Sequence, residues 1–480
     1  MGSVPHFPIL RAGVEYSSLD RVELKSYREG VVMASVSQAN AGLIRRDMKK
    51  LDRAKAALDG VAVGELIERL ASAARIFLTE ELPLNESGDR QTADEYVACL
   101  SATSGMPHAM CRANMQKIAG VMGDMPTILA GLMRGMAPGI LDTGVGKHGE
   151  VGVWYTAQAR ALGVVLPSNS PGVHSLWVPA VALKIPVVLK PGREEPWTPM
   201  RIAQALFAAG IPREAVSLYP TDHEGAAAIL ENCGRALLFG DESTTRQYAD
   251  NPAIEIHGPG RSKVLLGADE AANWSDHLDV LLESVARNGG RSCINASSIV
   301  VPSHGDEIAQ ALAERLAGIA PLEDDDRDAK LCAFANPKFA EGIDAAIQRG
   351  LEGGGAEDVT ARYRKGERRR EYRGGSYLLP TIVRCDSIEH PLANTEYLFP
   401  FASVVEVPQD EMLAKIGPSL VVTAITKDEG FVSELMSTPL IHRLNLGPVP
   451  TIKVEWDQPH EGNLFEFLFH RRAFQRAPSW

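Results

Sequence analysis

Cysteine is scarce in this chain, and the little there is does not cluster. Six thiols, Cys99, Cys111, Cys233, Cys293, Cys332 and Cys385, are scattered through 480 residues with no CxxC pair. That spacing argues against a disulfide framework and a thiolate-built metal site, and points to a reducing cytoplasm. Paired histidines are missing as well, so no metal is expected. No apolar run approaches the roughly 20 residues of a membrane span. The start, MGSVPHFPILRAG, lacks the basic-then-apolar order of a signal peptide. Positive charge is in deficit, 49 Lys plus Arg against 61 Asp plus Glu, for a net of −12. This argues against general binding to nucleic acid or to acidic membrane surfaces. There is no internal repeat or low-complexity linker. The composition is that of an unexported enzyme long enough for two or three domains.

What is present is ordered along the chain. Residues from about 40 to 136 read as helical, with apolar spacing in AVGELIERLASAARIFL and MQKIAGVMGDMPTILAGLM. From Val151 the pattern turns to strands, and the short runs PVVLK, AVSLYP, RALLFG and AIEIHG then alternate with helical stretches. That alternation predicts an α/β fold with a parallel sheet covered on both faces. After PVVLK a helix is expected with Thr198 as its cap, Pro199 in its first turn and Gly210 at its end. A second domain is expected to open near Ala271, where Leu278, Leu281, Leu282 and Val285 form one helical stripe leading to Cys293. The runs EDDDRD and RYRKGERRREYR read as solvated loops. Gly144 to Gly149 spells GxGxxG, but no strand precedes it and no helix follows, so it reads as a turn before a hairpin rather than a phosphate cradle.

Cys293 stands apart from the other thiols. It lies in SVARNGGRSCINASSIVVP, flanked by Gly289, Gly290, Arg291, Ser292 and Asn295 on an irregular turn. A packing cysteine usually sits inside an apolar run. Here a nearby guanidinium and backbone N–H groups are expected to lower the thiol pKa and give a reactive thiolate.

Five segments in this order resemble the aldehyde dehydrogenase superfamily: LPSNSPG around Asn169, ALKIPVVLKPG ending at Lys190, EPWTPMRIAQALFAAGIP, NGGRSCINAS, and LLPTIV followed by NTEYLFPFASVVEV around Glu396. The resemblance implies a Rossmann-type cofactor domain over residues 1–270, with an oligomerisation hairpin at about 138–163. It further implies a catalytic domain over 271–447, a C-terminal arm over 448–480, and dimers or tetramers. Cys293 would attack an aldehyde or acyl thioester, with the Asn169 amide as oxyanion donor; an isolated Asn before a Gly/Pro pair would otherwise be read as a turn cap. Lys190 and Glu396 would contact the riboses of NAD or NADP. Arg193 stands where a glutamate often binds the adenine ribose, and a guanidinium there tilts the expectation toward NADP.

The usual deacylating glutamate is replaced by His257, with Glu255 two residues away. Members that pass the acyl group to coenzyme A commonly lack that glutamate and carry a stretch similar to Gly258-Pro259-Gly260, glycines assigned here to cofactor binding. This favours an acylating aldehyde dehydrogenase or acyl-thioester reductase. Hydrolysis with His257 or Glu255 as base is the alternative. A silent scaffold and a cofactor-free cysteine hydrolase are further readings, the first opposed by intact Cys293 and Asn169, the second by the Lys190 and Glu396 segments. Phe465, Phe467 and Phe469 alternate as a half-buried strand would, and also suit a substrate entrance or an oligomer contact.

Overall fold

A computed structural model describes residues 4–473, together with 475 and 477. Two seven-stranded sheets dominate it. In the first, the strands Ile254–His257, Gly234–Phe239, Ala161–Val165, Val187–Lys190 and Val216–Leu218 lie side by side in that order, all parallel. Ile9–Arg11 and Val14–Tyr16 close its edge antiparallel. Val164 pairs with Leu189 on one side and Leu237 on the other. Every residue of Ala161–Val165 is buried, as a central strand covered on both faces requires.

The second sheet runs in the order Ala356–Asp358, Thr381–Cys385, Phe401–Glu406, Ala296–Val301, Ser262–Leu266, Ser419–Ile425, Ile441–Leu446, with only the first of these antiparallel to its neighbour. The sequence placed the change of domain near residue 271, but Ser262–Leu266 already belongs to this second sheet. The chain therefore crosses over at Gly258–Arg261, where two glycines break the apolar run.

The helical region contains Ala41–Met48, Val63–Thr79, Ala93–Ser104, His108–Gly123 and Met125–Leu132. Side-chain caps fix the starts of two of them. Asn40 accepts from Leu43 N at 2.8 Å, and Thr92 and Glu95 form a reciprocal capping box. The crossover helix is Trp197–Ala208, and its start differs from expectation. Thr198 lies inside the first turn, and Glu195 caps it by accepting from Thr198 N at 2.8 Å. Trp197 is fully buried edge-on to Phe7; burying a large apolar side chain is worth about 1.5–3 kcal/mol.

Other local readings also change. Gly146, Lys147 and His148 lie in the first hairpin strand, Val145–His148, which pairs with Val151–Ala157; the latter also pairs with Phe469–Arg472 from the arm. Phe465 and Phe467 sit in a short helix, Leu464–Leu468, because Asn463 accepts from the N–H groups of Phe465 and Glu466; only Phe469 is in a strand. The basic run is not wholly solvated: Arg364 and Arg368 are buried on Asp358 at 2.9 and 3.0 Å. In the acidic run, Asp324 pairs with Arg28 at 2.6 Å. Among the described residues, no helix is long and apolar enough to cross a membrane.

Candidate active site

Asn169, Lys190 and His257 each come at or just after the C-terminal end of a parallel strand of the first sheet. Cys293 and Glu396 each precede a strand of the second. The ends of the two sheets therefore face a common space, the position at which open α/β sheets bind ligands. A cavity of about 490 Å³ opens there, lined by Asn169, His257, Gly258, Cys293, Glu396 and Glu461 among others. It adjoins a groove of about 910 Å³ holding Lys190 and Arg193; Glu194, Phe239, Gly240, Ala335 and Asn336 line both.

The cysteine turn is held by its neighbours. Asn288, Gly289 and Gly290 are all left-handed, with φ of 55°, 64° and 67°. A Cβ at Gly290 would lie 2.4 Å from the Phe399 carbonyl carbon and 2.5 Å from Pro400 N, so only glycine fits. Asn295 completes the turn, accepting from Ser292 N at 3.0 Å and donating to Ser284 and Arg287 carbonyls, each at 3.0 Å. Gly260 packs on the same loop: a Cβ there would stand 2.0 Å from the Cys293 carbonyl oxygen. This gives Gly260 a packing role of its own. At Gly258 a Cβ would meet only the Gly240 carbonyl, at 4.0 Å, so protein packing leaves that position open.

The thiol's surroundings overturn one expectation. Arg291 points away from it, donating to the carbonyls of Ser104, at 3.1 Å, and Ala333, and lying over the Phe334 ring. Burial raises the Cys293 pKa, and the carboxylates of Glu461 and Glu396 raise it further; Lys117 only partly opposes them. The free thiol is therefore held protonated. Asn169 is beside it, tied by Nδ2 to the Arg291 carbonyl at 3.0 Å. The second N–H of that amide makes no hydrogen bond among the described residues.

His257 and Glu255 have acquired a partner that the sequence did not suggest. His257 is buried, stacked on Phe239 at 4.5 Å, and its Nδ1 bonds Glu461 Oε2 at 2.5 Å. Burial alone would lower the His257 pKa, but attraction and hydrogen bonding to Glu461, helped by Glu255, raise it. Glu255 lies 3.8 Å from the other ring nitrogen, and burial raises its own pKa.

Glu396 accepts from Arg261 N at 2.7 Å, and burial pushes its pKa up to about 7. Beneath it the fully buried Lys263, which the sequence reading missed, is pushed down to about 7 by burial and by Arg261. It donates to the Arg261 carbonyl at 2.7 Å and to Ser419 Oγ at 2.9 Å. Lys117 and His460 line the cavity with Cys293, and Arg443 reaches His460. These too were missed, as was Glu461.

The groove suits a nicotinamide dinucleotide. It lies at the strand ends and carries the Lys190 ammonium, whose pKa burial lowers, and it has an apolar wall at Ala226 and Leu230. Arg193 is exposed at its rim.

The sequence model of the aldehyde dehydrogenase family matches residues 17–417. The chain belongs to this family. It is 27% identical over 183 residues to a protein of Mycolicibacterium smegmatis named as a succinate-semialdehyde dehydrogenase [NADP(+)], a stretch covering 35% of this chain and 32% of that one. It is 25% identical over 236 residues to (Z)-2-((N-methylformamido)methylene)-5-hydroxybutyrolactone dehydrogenase of Acinetobacter baylyi, covering 47% and 46%. The matched stretches thus span a third to a half of these curated relatives. The fold is also similar to that of an indole-3-acetaldehyde dehydrogenase crystallised with NAD+, with TM-score 0.79, 17% identity, and coverage of 97% of this chain and 95% of that one.

Proposed function

We propose that this chain oxidises an aldehyde to the carboxylate with NAD or NADP, through a thioester on Cys293 that water cleaves. The observation that carries the reading is the Glu461–His257 pair, 2.5 Å apart in the cavity that holds the thiol. Coenzyme A was favoured because position 257 lacks a carboxylate. Glu461 supplies one from the far end of the sequence, and the balance moves to hydrolysis. The relatives' names describe chemically different substrates, two of them aldehydes, and both cofactors. They therefore support the reaction class rather than one substrate.

In this reading the Cys293 thiol loses its proton to solvent, the sulfur adds to the aldehyde carbon, and the oxygen, as it gains charge, is held by the free Asn169 amide N–H and the Cys293 backbone N–H. A bound nicotinamide dinucleotide supplies the hydride acceptor that takes the adduct to the thioester. Lys190 and Glu396 would hold its riboses, and Gly258 leaves room for its close approach. Arg193 at the rim tilts the preference to NADP. Glu461 then takes a proton from water, His257 fixes the carboxylate, and water attack releases the acid and the thiol. The hairpin and arm strands form one small sheet, which suits the dimer or tetramer expected from the resemblance.

Acyl transfer to coenzyme A is the second reading, and one experiment separates the two. Steady-state turnover of an aldehyde panel is measured with and without coenzyme A, beside Cys293→Ala. Equal turnover without thiol is the expected result. Turnover that needs coenzyme A would overturn hydrolysis in favour of acyl transfer.

A further inference from the structure

The segment that joins the two sheets holds a buried lysine whose partners are neutral. Lys263, in the strand Ser262–Leu266, is fully buried, and its ammonium donates to the Arg261 carbonyl at 2.7 Å and to Ser419 Oγ at 2.9 Å. No carboxylate pairs with it among the described residues. A buried ammonium without one is costly, and burial together with the Arg261 charge lowers its pKa to about 7. A methionine would fill the same space without that cost, so packing alone does not account for a lysine here.

Arg261 does account for it. It is not a glycine, yet its φ is 45°, in the left-handed region. Its N–H donates to Glu396 Oε2 at 2.7 Å and its carbonyl accepts from Lys263, so two ionisable side chains grip the backbone of one residue from either end. A disfavoured conformation persists only where its surroundings fix it. The Arg261 guanidinium contributes little, being exposed and 3.2 Å from an exposed Glu242. The residues on either side are tied separately. The Gly260 carbonyl accepts from Leu420 N at 2.8 Å, and Ser262 Oγ donates to the Cys293 carbonyl at 2.8 Å. Lys263 thus fixes Arg261, and through it Glu396, without carrying the thiol turn.

We propose that Lys263 is a positioning residue for the cofactor: it locks Arg261 in the conformation that aims its N–H at Glu396, and so sets the carboxylate that meets a cofactor ribose. The inference rests on the ribose role proposed above for Glu396 and adds the residue that holds it in place. The charged groups facing Lys263 are Arg261 and Glu396. Its ammonium also favours the Glu396 carboxylate over the acid, and the carboxylate is the form that only accepts hydrogen bonds, as ribose hydroxyl donors require.

Equilibrium binding of NADPH and NADH, followed by fluorescence, tests this in the wild type, Lys263→Met, Glu396→Ala and the double variant. Kd is expected to rise about tenfold in each single variant, as for loss of a hydrogen bond to a charged group. The double variant should bind no more weakly than Glu396→Ala, because Lys263 acts through Glu396. Losses that multiply in the double variant, or an unchanged Kd in Lys263→Met, would overturn the proposal. The pH profile of Kd is a second readout. Affinity drops as pH falls and Glu396 takes a proton, and without the ammonium that drop should begin about one pH unit higher. Coincident profiles would contradict the inference. Alkylation of Cys293 by iodoacetamide in the cofactor-free variants should match the wild type; a change there as large as that in Kd would mean general loosening and overturn the assignment. Should Lys263→Met not fold, Ser419→Ala removes one holder of the ammonium and is expected to raise Kd about threefold. An unchanged Kd in that variant would count against the proposal. If neither cofactor binds the wild type, the cofactor reading falls and this inference with it. If the wild type binds and Lys263→Met binds equally well, the inference alone falls.

Discussion

Cys293 carries a thiol whose neighbours pull its ionisation in opposite directions. Burial, Glu461 and Glu396 favour the protonated form, and Lys117 favours the thiolate. With the net shift upward, alkylation of the cofactor-free protein should be slower at pH 7 than for an ordinary exposed thiol. It should climb about tenfold per pH unit to beyond pH 9, because the thiolate is the reactive species. Iodoacetamide kinetics against pH check this, and a plateau below pH 8 would contradict it. Cys293 stands out in the sequence as the proposed nucleophile by its polar, glycine-rich flanks. Its ionisation was not legible, because adjacency in sequence does not fix direction in space: Arg291, two residues away, turns to the Ser104 and Ala333 carbonyls instead.

At the scale of elements, the turn that delivers the thiol depends on glycine at a position with neither steric nor conformational tolerance. Gly290→Ala combines φ of +67° with contacts of 2.4–2.5 Å to the Phe399–Pro400 backbone. It should cost about 2–4 kcal/mol. Gly149→Ala, at φ of +57° with nothing within 4 Å of the added carbon, should cost only about 1 kcal/mol. Urea unfolding of the two variants measures the difference, and equal costs would contradict this account of the turn.

Parallel strands were readable because burial on both faces leaves continuous apolar runs, as in PVVLK. The phenylalanines 465, 467 and 469 misled, since alternation over five residues does not outweigh a cap. Asn463, two residues before Phe465, was the signal for a helix start.

The molecule as a whole sets the strand ends of two sheets against each other and closes the gap with distant segments. The family was legible, and with it the proposed site residues Asn169, Lys190, His257, Cys293 and Glu396, because short contiguous motifs carry them. The partners that complete the centre were not, because Lys117, Arg443, His460 and Glu461 carry no motif. They come together only when the C-terminal segment folds back over the first sheet, where Glu461 meets His257 across 204 residues of sequence.

That long-range pair is the centre of the account, and pre-steady-state kinetics tests it most directly. Reduced cofactor is followed on mixing aldehyde with wild type and with Glu461→Gln. The account predicts that the first-turnover burst survives in the variant while the steady rate falls by about 100-fold or more, as loss of a general base requires. An unchanged steady rate would contradict the assignment of Glu461 as the deacylating base.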